Sequence, residues 1–131
     1  MTKELLTCGQ LERKLSQEIQ AFYRHHLGHQ PSKVTCQLFA SKLAIIIEDS
    51  ITSAEQILVD EGKQDLAKQV RTNLDDAIQP DLKLKIEEIA KIEVLDILSD
   101  ATLDTGRTGI IVVLSQTPTV RNPESIPKVK V

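Results

Sequence analysis

The stretch KVTCQLFASKLAIIIEDS, residues 33–50, decides the fold. Val34, Cys36 and Leu38 alternate with Thr35, Gln37 and Phe39, the period of two that sends successive side chains to opposite faces of a strand. After a short Ala40-Ser41-Lys42 connection, Leu43, Ile45 and Ile47 repeat it. The pattern predicts a β-hairpin with residues 33–39 paired to residues 43–48. The second strand, LAIII, is apolar at every position. It is therefore expected inside a sheet whose two faces are both at least partly covered.

Upstream, Leu11, Leu15, Ile19, Phe22 with Tyr23, and Leu27 recur at helical steps. They predict an amphipathic helix from Cys8 to Leu27, capped by Gly28 and kept from restarting by Pro31. Downstream, Thr52-Ser53-Ala54-Glu55 has the spacing of a capping box, opening a short helix that reaches about Glu61 and stops at Gly62. A longer helix begins near Lys63, with a stripe of Leu66, Val70, Leu74, Ile78, Leu82, Ile86 and Ile89. Pro80 lies within that stripe and predicts a bend near Asp76–Gln79.

KIEVLDILSD follows, with Ile92, Val94, Asp96 and Leu98 in one phase and Glu93, Leu95 and Ile97 in the other, which reads as a third strand. A loop, ATLDTGRTG, leads into IIVVL at 110–114, a fourth strand apolar on both faces. The order is α-ββ-α-α-ββ. It predicts an α+β domain over residues 1–115, with a mostly antiparallel four-stranded sheet and its helices on one face. Residues 116–131 hold three prolines without periodicity and are expected to form a tail or arm. LAIII and IIVVL need cover on their second face, and self-association into a homodimer is the simplest source of it.

Composition narrows the function. The chain has 131 residues and a net charge of −3, but residues 34–120 hold eight Lys/Arg against fifteen Asp/Glu, between mildly basic ends. An acidic body repels phosphate backbones, and without Trp and with one Tyr and two Phe there is little to stack bases on, so nucleic acid is not an expected partner. MTKELLTCGQLERK is too charged for a signal peptide, and no window is long and apolar enough for a transmembrane helix. A cytoplasmic location follows, with Cys8 and Cys36 as free thiols. PKVKV, at the end, is too weakly charged to anchor to a membrane but could add as a strand to a partner's sheet edge.

Three segments together resemble a known family: FYRHHLGHQP (22–31), IIIEDSITSAEQILVDEG (45–62) and VLDILSDATLD (94–104). Over about residues 10–115 the chain is similar to the MpsC domain family, named for a sodium-translocating, membrane-potential-generating system. The resemblance implies a role around ion translocation or membrane energetics. It brings no defined catalytic set.

The residues themselves offer few chemical candidates. His25 and His29 have the i,i+4 spacing of zinc ligands on one helix face, with His26 between them. However, Gly28 and Pro31 end the helix before His29, and the fourth ligand would have to be Cys36, whose phase points it into the core. Glu48 and Asp49 are adjacent on a strand and face opposite ways, so they cannot readily share a proton. Asp96 shares a phase with apolar residues; buried, it would need Lys42 or Arg107 as counter-charge, and a solvent-facing position is the expectation. DTGRTG lacks the spacing and the following helix of a phosphate loop, and reads as a hairpin loop with Arg107 at its tip. Neither thiol has the partners of a nucleophile.

No catalytic, cofactor or metal residue is therefore assigned. The expected function is a non-enzymatic accessory module, a homodimer whose further partner is a protein of a membrane complex. The alternative is a small-ligand sensor with a pocket between the long helix and the sheet, and a metal-dependent enzyme built on His25, His26 and His29 is the weakest reading.

Overall fold

The computed structural model describes residues 5–128. The chain runs α1 (Cys8–Leu27), β1 (Lys33–Phe39), β2 (Lys42–Glu48), α2 (Ser53–Asp60), α3 (Gln64–Ala90), β3 (Val94–Thr102) and β4 (Arg107–Leu114), and a short 3-10 turn follows at Pro123–Ser125. The strands form one antiparallel sheet in the order β1-β2-β4-β3. The α+β class and the element order are those the patterning predicts, and the two fully apolar strands, β2 and β4, are the central ones.

α1 spans the predicted residues. Thr7 and Gln10 close a capping box at its start, and Gly28 ends it in the left-handed conformation (φ 67°). Its apolar stripe, Leu11, Leu15, Ile19, Phe22 and Tyr23, is buried against the inner face of the sheet with Ile78, Leu82, Ile86 and Ile89 of α3. That face presents Val34, Cys36 and Leu38 from β1, Leu43, Ile45 and Ile47 from β2, and Ile110, Val112 and Leu114 from β4. Both edges are masked from the same side. The Glu12 carboxylate accepts the Leu38 N–H (2.8 Å), Glu87 accepts that of Val94 (2.9 Å), and the Gln79 amide donates to the Ile97 carbonyl (3.0 Å). Edge groups so engaged are not free to recruit another strand.

The structure corrects two details. A bulge between Val94 and Asp96 shifts the phase of β3, so Ile97 turns towards the core, and Leu98 and Asp96 face solvent. One extra residue on a strand exchanges its two faces from that point on. In the first half of α3 the buried positions are Ala67 and Arg71, one residue beyond the predicted Leu66 and Val70, and Leu66 is exposed. As the in-phase stripe predicts, α3 continues as one helix through Pro80, which lies on its exposed side. There the lost N–H leaves a carbonyl that water can satisfy.

After β4 the chain returns along α1. Val120 and Ile126 are buried in the core, the Arg121 N–H reaches the Leu6 carbonyl (2.8 Å), and Asn122 Oδ1 accepts the Cys8 N–H (2.7 Å). Ala40, at the β1–β2 turn, donates its N–H to the Pro127 carbonyl (2.6 Å). Residues 129–131 of the expected strand-adding PKVKV lie outside the described residues.

Burial within the core pushes the Cys36 thiol up to about 11 from an ordinary 9.0; Ser16 opposes the shift and the Glu12 charge adds to it. Between those values the unfolded chain ionises while the folded one does not, so this contribution is intact below pH 9 and is lost as pH rises towards 11. Two pH units correspond to roughly 2–3 kcal/mol. Urea unfolding as a function of pH should show stability falling above pH 9, with Cys36→Val moving the onset to higher pH.

Candidate functional site

The strand end of β2 supplies the first constellation. Glu55 closes the predicted capping box, its Oε1 accepting the Thr52 N–H (3.1 Å) and hydroxyl (2.8 Å). Yet Glu55 is wholly buried, because its carboxylate also receives the guanidinium of Arg71, with Nε donating to Oε2 at 2.7 Å. Arg71 continues to the Ser50 carbonyl (2.8 Å) and to Asp75 Oδ1 one helical turn on (3.1 Å). The Ser50 hydroxyl bonds that of Thr108 on β4 at 2.7 Å, so one polar chain ties α2, α3 and the centre of the sheet together.

The electrostatics follow from burial. Desolvation pulls the Arg71 pKa down, but the hydrogen bonds and charges of Glu55 and Asp75 outweigh it and leave the pKa above its ordinary value. Desolvation pushes the Asp75 carboxyl up, with Arg71 pulling against it. Every buried polar side-chain atom among the described residues has a hydrogen-bond partner, as a stable interior network requires. No orphaned group here waits for a substrate.

Beside this network lies a cleft of about 220 Å³ between α3 and β3, reached by Lys68, Arg71, Thr72, Asp75, Ser99 and Asp100. It occupies the place where a ligand pocket was expected. Its walls mix both signs of charge and point to no single ligand class.

The candidates from the sequence do not converge. His25 is exposed, His26 stacks on Phe22 with its Nδ1 at 3.0 Å from the Phe22 carbonyl and its Nε2 at 3.3 Å from Asp81, and His29 donates to the Asp49 carbonyl at 2.6 Å. Among the described residues no three His, Cys, Asp or Glu side chains are grouped to hold a metal ion. Glu48 is separated from Asp49 by its pairing with Arg107 Nε, at 2.7 Å across the β2–β4 boundary. Asp96 is exposed and bonds the N–H of Ile97 (3.0 Å).

The second constellation is the outer face of the sheet, which no helix covers among the described residues. Ile46 on β2, Ile111 on β4 and Leu98 on β3 remain 45%, 36% and 56% exposed, with Ala44, Gly109 and Val113 between them. Around this apolar centre stand Lys33 and Lys42 on the β1–β2 side, Asp96 and Asp100 on β3, and the Glu48–Arg107 pair. A contiguous apolar patch with a charged rim is the character of a docking surface, unlike isolated exposed leucines.

Residues 7–116 match the family model described as Na+-translocating membrane potential-generating system (MpsC). The match covers most of the chain and all four strands, and the chain belongs to this family. No curated protein and no solved structure matches it.

The buried pair makes a sharp stability prediction. Arg71→Met alone leaves the Glu55 carboxylate buried without its counter-charge and should cost about 3–5 kcal/mol. The double variant Arg71→Met/Glu55→Leu removes both charges and should recover most of that loss. Chemical denaturation of the parent and the two variants reads the effect, and an Arg71→Met variant within about 1 kcal/mol of the parent would contradict it.

Proposed function

We propose that the protein is a non-enzymatic accessory module of a membrane-bound ion-translocating or membrane-potential-generating system, acting from the cytoplasmic side as a homodimer. The uncovered apolar face of the sheet carries this reading: it is the surface by which such a module would meet another protein. The family description supplies the membrane system. Among the described residues no helix is long and apolar enough to cross a membrane, so the ion path would belong to the partner. The satisfied ionic network and the dispersed histidines support a structural reading of the chain's polar groups over a catalytic one.

A second reading rests on the cleft between α3 and β3. There the chain would sense a small polar ligand, with Lys68, Thr72 and Asp100 at the mouth and the Arg71 network beneath transmitting occupancy to the sheet. The two readings are compatible in one molecule but are tested separately.

A tagged chain expressed in its own cells should recover a membrane complex from the detergent-extracted fraction. Recovery of the tagged chain alone, from both fractions, would contradict the accessory role. For the sensor, nucleotides and small organic anions at about 100 times Kd should raise the unfolding free energy by about 2.7 kcal/mol. An unmoved melting temperature across the panel removes that reading.

A further inference from the structure

We propose that two copies of the chain close their outer sheet faces on one another, about a twofold axis that runs parallel to the strands between β2 and β4. This deepens the interaction-module reading and rests on it, naming a second copy as the first occupant of that face.

The face carries Lys33, Lys42 and Arg107 against Glu48, Asp96 and Asp100, three of each sign. A surface built for an anionic membrane or a polyanion would be basic throughout; this one is balanced and polarised. Its lysines lie towards β1 and its free acids on β3, at opposite edges of the sheet order β1-β2-β4-β3. Such a distribution complements itself when a twofold operation lays β3 over the β1 of the second copy. Asp100 then stands over Thr35, two residues from Lys33, and Asp96 over Phe39, beside Lys42.

The shape agrees. In register, Ile46 lies in the row of Gly109, and Ala44 in the row of Ile111. The strand-parallel axis places β2 over the β4 of the second copy, so each isoleucine meets the small residue of the same row: Ile46 over Gly109, and Ile111 over Ala44. Gly109 needs no positive φ, and a Cβ there would meet only the Ile46 side chain, at 3.7 Å, so what its missing side chain leaves is a hollow on this face. Glu48 falls opposite Arg107 of the second copy, and the two intramolecular pairs become one four-charge cluster.

The other face-to-face twofold, perpendicular to the strands, lays β3 over β3. Drawn through the Leu98–Ile111 row it sets Asp96 against Asp100, and like charges facing each other oppose association. Drawn between that row and the Ile46–Gly109 row it lays Ile111 over Gly109 and Ile46 over Ala44 of the second copy, the packing that competes with the one proposed. Four strands at about 4.8 Å and eight residues at about 3.4 Å give a face of about 500 Å². The pair buries about 1,000 Å², at the lower limit for a specific interface, so the dimer should be weak and reversible.

Sedimentation of the full chain between about 1 and 500 μM tests this, and should show a concentration-dependent monomer–dimer equilibrium. Leu98→Glu and Ile111→Glu each replace an exposed side chain, should leave the melting curve of the dilute monomer in place, and should weaken the dimer at least about tenfold. Asp96→Asn/Asp100→Asn tests the charge pairing: it weakens the dimer if those acids lie beside lysines of the second copy, and tightens it if they face each other. A tightened dimer, or a wild-type chain monomeric throughout, overturns the proposal. A monomer that still recovers the membrane complex overturns the second-copy assignment alone, and a dimer that recovers nothing overturns the accessory role alone.

Discussion

Two central strands that are apolar on both faces, served by a single layer of helices, form the constraint from which the rest of the molecule follows. β2 and β4 each offer apolar side chains to both sides of the sheet. α1 and α3 cover the inner side and generate the core of Leu15, Ile19, Leu38, Leu43, Ile45, Val112 and Ile86, all shielded from water. The two helices span the sheet from edge to edge, α1 packing on β1 and α3 on β3, and their polar side chains mask the edge amides. Nothing in the described chain is left to do the same on the outer side. Hydrophobic burial is worth about 25 cal/mol per Å², which makes that face both the least satisfied part of the fold and its natural point of contact.

The short helix α2 has another problem. It has eight residues, its only buried one is Glu55, and it contributes nothing to the apolar core. What holds it is ionic: Arg71 reaches from α3 to its first turn and, through Ser50 and Thr108, to the middle of the sheet. A buried pair of this kind adds little net stability over an apolar equivalent, but it tolerates one partner and one geometry. In this chain it sets where the β2–α2 segment lies relative to α3, and therefore the shape of the cleft above it.

The sequence made the periodic features legible and concealed the aperiodic ones. The alternation in KVTCQLF and LAIII, and the four-residue steps of α1, announce both their elements and their buried faces. Thr52 and Glu55 announced a cap. That Glu55 is also the partner of Arg71 depends on a contact sixteen residues away, which no local pattern encodes; only the Arg71–Asp75 spacing hinted that a charge belonged on that row. The β3 bulge was invisible for a related reason. VLDIL reads as an unbroken alternation, and the extra residue emerges only when β3 is registered against β4. For the histidines the decisive signal was Gly28 and not their spacing, since spacing along the chain says little once the helix has ended.

The chain belongs to the family described as Na+-translocating membrane potential-generating system (MpsC), and the outer sheet face is its feature best suited to meeting another molecule. The central claim is that this face is closed by its own copy. An isotope-filtered NOE experiment on a mixture of labelled and unlabelled protein tests it most directly. Closure of the face by a second copy predicts intermolecular cross-peaks from the Ile111 methyl groups to Ala44 and from those of Ile46 to Gly109. Intermolecular contacts confined to the helices or the sheet edges, or none at concentrations where the chain is dimeric, would contradict it.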